Sequence, residues 1–299
     1  MGTEDQHRSL DHAPPSPGPG SASISSWPRS PCASRNRGYW LYSERNGNYQ
    51  LMPDMTQAAR GAADGGATCR AAGCAVPASG IAGRLTPGAR DRLLTLGATC
   101  RFQPGEFLLC EGERSDHVLL LAHGRVKVTS RAENGYAVVL GIRGPGDLVG
   151  DMAGLDSHPR SATVVALDPV LARIIPGSEF RDFIDRERGA GIALAELIAS
   201  RLRAANRRRL EFGAFPVRRR LALVLLDLER WHGVSASDDG NCRDIDLALS
   251  QADLAGLVGS SLESAAKAIR DLARQRIIRT RRRHVTILDR AALGELADE

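Results

Sequence analysis

The sequence predicts an α+β protein: a small jelly-roll β-barrel, then a long helix, then a C-terminal winged helix-turn-helix. Three observations carry this. From Arg101 to Ile175, short apolar runs are separated by Gly, Pro, Asn and Asp, the pattern of many short strands closed by tight turns. From Ser178 to Arg209 the apolar residues take helical spacing instead. Between Ser250 and Leu272 two short helical stretches flank Gly259, and a cluster of arginines follows between two apolar runs.

Taken in order, residues 1–83 are rich in Gly, Pro, Ser and Ala and lack a sustained period, so a disordered extension is expected there. Its aromatic island, Tyr39-Trp40-Leu41-Tyr42, is expected neither to pair locally nor to bind. The sensor-like unit spans 84–214. Thr86 caps a first helix with Pro87 in its first turn, running to about Leu96. Strands are expected at Phe107 to Cys110, Val118 to Ala122, Val126 to Ser130, Ala137 to Ile142, Ala162 to Ala166 and Val170 to Ile175. Asn134-Gly135 marks a hairpin between two of them. In the long helix Ile192, Leu194, Leu197, Ile198 and Leu202 make one apolar stripe.

Gly213-Ala214-Phe215-Pro216 should break that helix, because Pro216 cannot continue it and disfavours helix at Phe215. The unit 215–299 follows. Val217 to Trp231 is a helix, and Ile245-Asp246-Leu247 is a brief strand. Ser250 then caps one helix, Gly259 allows a tight turn and Ser261 caps the next. Ala265, Ile269 and Leu272 form the buried side of that second helix. Its exposed start is shaped for the major groove, although a plain helical hairpin has the same pattern. Ile277 to Leu288 reads as a two-stranded wing with Arg281, Arg282 and Arg283 at its tip, suited to phosphate contact without base reading.

Composition narrows the function classes. The 299 residues suffice for two domains with cores, and 42% hydrophobic with 25% charged residues describes a globular protein. The formal charge of +5 matters because its basic residues gather late in the chain. No apolar run approaches a membrane span, and the start lacks a signal-peptide pattern, so a cytoplasmic protein without a membrane partner is expected. The six dispersed cysteines are expected to be reduced thiols. No metal site is expected, and no nucleophile–base constellation or P-loop suggests an enzyme.

The most informative stretch is Gly150 to Thr163. Gly150, the backbone of Asp151, Met152 and Ala153, the guanidinium of Arg160 and the Ser161-Ala162 pair can converge on one phosphate, with Asp151 placed for a ribose hydroxyl. A strand-turn-strand with a surface arginine would show the same spacing. Gly150-Asp151 with Pro159-Arg160-Ser161-Ala162-Thr163 resembles the phosphate-binding cassette of cyclic-nucleotide-binding domains. Together with the C-terminal motif, the chain from Leu85 to Leu293 resembles the Crp/Fnr family of bacterial transcription regulators. That resemblance implies a cyclic-nucleotide-binding jelly roll, cyclic AMP as effector, double-stranded DNA as target, a homodimer built on the long helix, and RNA polymerase as a further partner. It also implies a base contact from Asn206, and groove contacts from Gln251, Ser260, Ser261, Leu262, Glu263, Ser264 and Lys267.

Departures from the family pattern accompany the match. Asp151 stands where cyclic-AMP receptors usually carry Glu, and Ala205-Asn206 where Thr-Ser or Thr-Asn is common. Leu262 and Lys267 stand where the recognition helix usually carries arginines, and the cysteine spacing differs from the family's iron–sulfur pattern. Two further readings therefore remain open: a DNA-binding regulator with a degenerate or different effector pocket, and a nucleotide-binding module whose winged helix contacts protein.

Overall fold

The computed structural model describes residues 80–236 and 242–299, and the backbone of Trp40–Ser43 (β1) and Asn48–Leu51 (β2). These two strands pair antiparallel, Trp40 opposite Leu51 and Ser43 opposite Asn48. The aromatic island therefore does pair locally, contrary to expectation. Trp40, Leu41 and Tyr42 are strong strand formers. The rest of the expected disorder in 1–83 falls outside the described residues, except at its end. Ile81 and Ala82 are fully buried, and the Ala82 N–H donates to the Gly146 carbonyl at 3.2 Å. Ile81 and Ala82 thus pack with the unit that follows them.

The first helix, α1 (Pro87–Thr95), is capped by Thr86, whose Oγ1 accepts from the Ala89 N–H at 3.3 Å. Then come β3 (Ala98–Phe102), β4 (Phe107–Leu109), β5 (Val118–His123), β6 (Val126–Arg131), β7 (Ala137–Arg143), β8 (Leu148–Val149), α2 (Asp151–Asp156), β9 (Thr163–Ala166) and β10 (Val170–Ile175). They form two four-stranded antiparallel sheets, ordered β3-β10-β5-β8 and β4-β9-β6-β7. Inward residues such as Leu119, Leu121, Val126, Val164 and Ala172 build the core between the sheets. Strands β3 and β8 were not expected: β3 is polar on its outer face, and β8 is only two residues long.

The helical stretch after the barrel is two helices, not one. α3 (Gly177–Arg186) ends before Gly189, which takes a left-handed φ of 84°, and α4 runs Ala190–Ala214. α4 also continues through Gly213, so the break falls at Phe215, which is extended ahead of Pro216. Its apolar stripe divides. Ala193, Leu194 and Leu197 pack onto Phe180, Phe183 and Leu93, whereas Ile192 is 69% and Leu202 59% exposed.

The C-terminal unit comprises α5 (Val217–His232), β11 (Gly233–Ser235), β12 (Arg243–Ile245), α6 (Gln251–Val258), α7 (Leu262–Arg274), β13 (Ile278–Arg281), β14 (His284–Ile287) and α8 (Arg290–Asp298). The wing is the edge of a four-stranded sheet, β11-β12-β14-β13. The expected strand at 245–247 lies earlier, because Arg243, Asp244 and Ile245 are the residues opposite Ile287, Thr286 and Val285. Leu221, Leu225, Leu257, Ile269, Leu272 and Ile287 form this unit's core, and Val139 of β7 and Leu167 join it from the barrel.

Candidate functional site: a cassette cavity and a helix-turn-helix face

The residues expected at a phosphate come together. β8 delivers the chain to Gly150, which takes a φ of 79° and turns it into α2. A Cβ on Gly150 would lie 2.5 Å from a terminal nitrogen of Arg160, so the absent side chain lets the guanidinium slide beneath the turn. Arg160 itself is only 3% exposed. Its backbone is pinned to the turn at 112–113, the Gly112 N–H donating to its carbonyl and its own N–H to the Glu113 carbonyl.

The guanidinium is aimed by three acceptors: Nε donates to Ser115 Oγ at 2.9 Å, one terminal nitrogen to the Gly150 carbonyl at 3.0 Å, and the other to the His117 carbonyl at 2.6 Å. Such a charge is held before any ligand arrives, so an anion meets a preformed donor array. Burial, reinforced by Arg160, pushes the His117 imidazole down to about 4, so the ring stays neutral beside that charge.

Asp151 is 5% exposed and answers a residue that sequence reasoning passed over. One terminal nitrogen of Arg201, on α4, donates to both Asp151 carboxylate oxygens at 3.0 and 2.9 Å; the other donates to the Leu148 carbonyl at 2.6 Å. Asp147 lies 3.9 Å from the same guanidinium. Arg201 belongs to a helix that reads in sequence chiefly as an apolar stripe. Its spacing of four and seven from Ala205 and Arg208 is the available signal that it shares their face.

Behind these groups opens a cavity of about 660 Å³, within the range of small-molecule sites. It is lined by Gly150 to Ala153 and Arg160 to Ala162 at one end. The walls are Val138, Val139 and Leu140 of β7 and Ile198, Leu202, Ala205 and Phe212 of α4. Arg143 and Arg208 also reach it; burial brings the Arg143 guanidinium down to about 10, with Arg201 adding to the effect. Asn206 is exposed on α4, outside the lining of this chain's cavity, which Ala205 and Arg208 of the same helix do line.

The second candidate face is the helix-turn-helix. Ser250 and Asp253 form a reciprocal capping box at the start of α6, Gly259 closes it with a φ of 61°, and Ser261 Oγ accepts from the Ser264 N–H at 3.2 Å to start α7. Gln251, Ser261, Glu263, Ser264, Lys267 and the wing arginines Arg281, Arg282 and Arg283 are exposed, as is Leu262 at 54%. Ser260 departs from expectation. It is 9% exposed, and its carbonyl accepts from the Tyr136 hydroxyl at 3.3 Å, so its side chain does not belong to the open face.

Among the described residues Cys100 and Cys242 are not in disulfides, whereas Cys110 is disulfide-bonded, which departs from the expectation of six reduced thiols. Among the described residues no group of three His, Cys, Asp or Glu side chains could hold a metal ion, and no helix is long and apolar enough to cross a membrane.

Comparison with known proteins meets both sites. Residues 99–187 match the family model of the cyclic nucleotide-binding domain, and residues 219–296 that of the Crp-like helix-turn-helix domain. A CRP-like cAMP-activated global transcriptional regulator of Mycobacterium tuberculosis is 30% identical over 196 residues, covering 66% of this chain and 86% of that protein. The cyclic AMP receptor protein of Thermus thermophilus is 28% identical over 214 residues, 71% of this chain and 94% of its own. Among solved structures, a Crp/Fnr-family transcriptional regulator of Thermus thermophilus superposes with a TM-score of 0.57 at 25% identity, covering 68% of this chain and 99% of that one.

Proposed function

The chain belongs to the Crp/Fnr family of transcription regulators, with a cyclic-nucleotide-binding domain ahead of a DNA-binding helix-turn-helix, and from that premise we propose that cyclic AMP is its effector. The observation that carries this reading is the buried, preorganised Arg160 beneath Gly150, facing a cavity of nucleotide dimensions. The phosphate would take N–H groups from Arg160 and the first turn of α2, and the hydroxyl of Ser161. Arg201 holds Asp151 through both carboxylate oxygens, and in this reading the pair would lie beside the sugar. The names of the relatives in Mycobacterium tuberculosis and Thermus thermophilus favour cyclic AMP among cyclic nucleotides.

DNA would be met by α7 in the major groove and by the wing on phosphates. The exposed Ile192, Ile198 and Leu202 on α4 supply an apolar face for a second copy, giving a homodimer that presents two recognition helices. RNA polymerase is then the partner through which bound DNA is read out, in the cytoplasm, without catalysis by this chain. The test is calorimetric titration with cyclic AMP and cyclic GMP, followed by DNA binding with and without nucleotide. We expect Arg160→Ala to lose at least about a hundredfold in affinity, since a charged hydrogen-bonded partner contributes roughly 3 kcal/mol. Wild-type affinity in that variant removes the phosphate from Arg160.

A further inference from the structure

The cavity and the helix-turn-helix share side chains: Val139 of β7 lines the cavity and lies 2.9 Å from a Cβ built on Gly256 of α6, and a second such residue reaches the turn itself. Phe212, near the end of α4, lines the cavity. The same ring faces Gly259, the residue between α6 and α7. A Cβ built on Gly259 would sit 2.8 to 2.9 Å from three ring carbons of Phe212. Glycine is thus required at 259 twice over, by its left-handed φ of 61° and by the ring pressed against it.

A third residue ties the two together. Arg220, on α5 just past the hinge, is 8% exposed and donates to the Gly259 carbonyl at 3.1 Å. Its guanidinium carbon lies 5.4 Å from the centre of the Phe212 ring, within cation–π range, and its Nε is buried without an acceptor. The turn that sets where α7 points therefore rests on an aromatic ring that a buried charge approaches and that also lines the cavity.

We propose that Phe212 is the positioning residue through which occupancy of the cavity sets the placement of the recognition helix. This rests on the cavity being the effector site. Occupancy and the Gly259 turn draw on one wall: a ligand that favours one ring position favours one seat for the turn, and differential affinity for the two seats is the coupling. Arg220 ties the ring and the turn together, since one guanidinium bonds the Gly259 carbonyl and lies within cation–π range of Phe212. Phe212 contacts no base of DNA in this scheme.

The experiment uses the full chain and a fluorescent duplex recovered by selection from random DNA. Ala205→Trp fills the cavity from within and acts as an occupant that needs no ligand. It should shift the Kd for DNA by about fivefold or more in the Phe212 background, the lower end of typical coupling, and by less than about twofold with Phe212→Ala. Phe212→Leu, which keeps apolar bulk but loses the reach to Gly259, should behave like Phe212→Ala and guards against a folding defect. Gly259→Ala, outside the cavity lining, should change the Kd for cyclic AMP when Phe212 is present and leave it unchanged with Phe212→Leu. Equal shifts in both backgrounds overturn the proposal. If cyclic AMP fails to bind the wild type, the effector assignment falls, and the Ala205→Trp pair still decides the role of Phe212.

Discussion

Replacing Arg201 by Met removes a charge while keeping much of the apolar stem that packs along α4. Asp151, 5% exposed in the intact chain, would lose the guanidinium that bonds both its oxygens at 3.0 and 2.9 Å. Breaking a buried pair by removing one partner typically costs about 3–5 kcal/mol. The lower end applies because the Arg201 side chain keeps 23% of its exposure, so water can reach the vacated space. For a unit of this size, about 3 kcal/mol is a fall in Tm of roughly 6–12 °C. Adding Asp151→Asn removes the stranded charge and should return the double variant to within about 1 kcal/mol of wild type, a coupling that only a cycle reveals. Thermal melts of the four proteins, followed by tryptophan fluorescence and by circular dichroism, provide the measurement. A single variant within about 1 kcal/mol of wild type, or a double variant as unstable as the single, refutes the argument that Arg201 compensates Asp151.

Replacing Arg281, Arg282 and Arg283 by Ala should weaken binding to unrelated duplexes alike and reduce the salt slope by about 0.9 per lost phosphate contact, as read by titrations at several salt concentrations. Leu262→Arg should enrich a guanine in selected half-sites that the wild type does not enrich, since an arginine pairing two guanine acceptors contributes roughly 1–3 kcal/mol of discrimination and leucine donates nothing; selection from random duplexes compares the two. His117 is neutral in the folded state down to about 4, while unfolding returns it to an ordinary value near 6.5, so the unfolded chain binds the extra proton between those limits. Stability should therefore fall as pH drops through that window, by about 2 kcal/mol at pH 5 relative to neutral, and His117→Gln should flatten the loss in denaturant melts at the two pH values.

Much of this was legible because local chemistry and tertiary structure agree. Ser250, Gly259 and Ser261 announce two capped helices and a left-handed turn, and each does what its residue type favours. Gly150 and Arg160 were legible as a pair because the cassette is contiguous. Arg201 was not, because its partner lies 50 residues away and nothing in a helix's own pattern names a cross-chain acceptor. Gly189 was read through as helix although it ends one segment before α4 begins, and Gly213 was read as a stop although α4 passes through it. Backbone conformation separates the two: Gly189 takes a left-handed φ of 84° that interrupts the helical run, whereas Gly213 does not, and an added side chain would meet nothing at either position. Ser260 appeared in sequence to belong to the DNA face, and only the fold reveals Tyr136 reaching over from the hairpin.

Asp253 serves two masters. One carboxylate oxygen accepts from the Ser250 N–H at 2.9 Å and its hydroxyl at 2.7 Å, starting the first helix of the DNA-reading motif; the other pairs with Lys127 on β6 of the barrel. Its carboxyl is held below the usual range despite the opposing push of burial, through the hydrogen bonds from Lys127 and Ser250. In hereditary terms the three positions form one locus. A change at Lys127 that would be silent in an isolated barrel would here leave the Asp253 carboxylate with its Ser250 contacts alone. Sensor and reader are thereby bound to drift together, and exchanging either unit between relatives should succeed chiefly when the residue at 127 travels with the residue at 253.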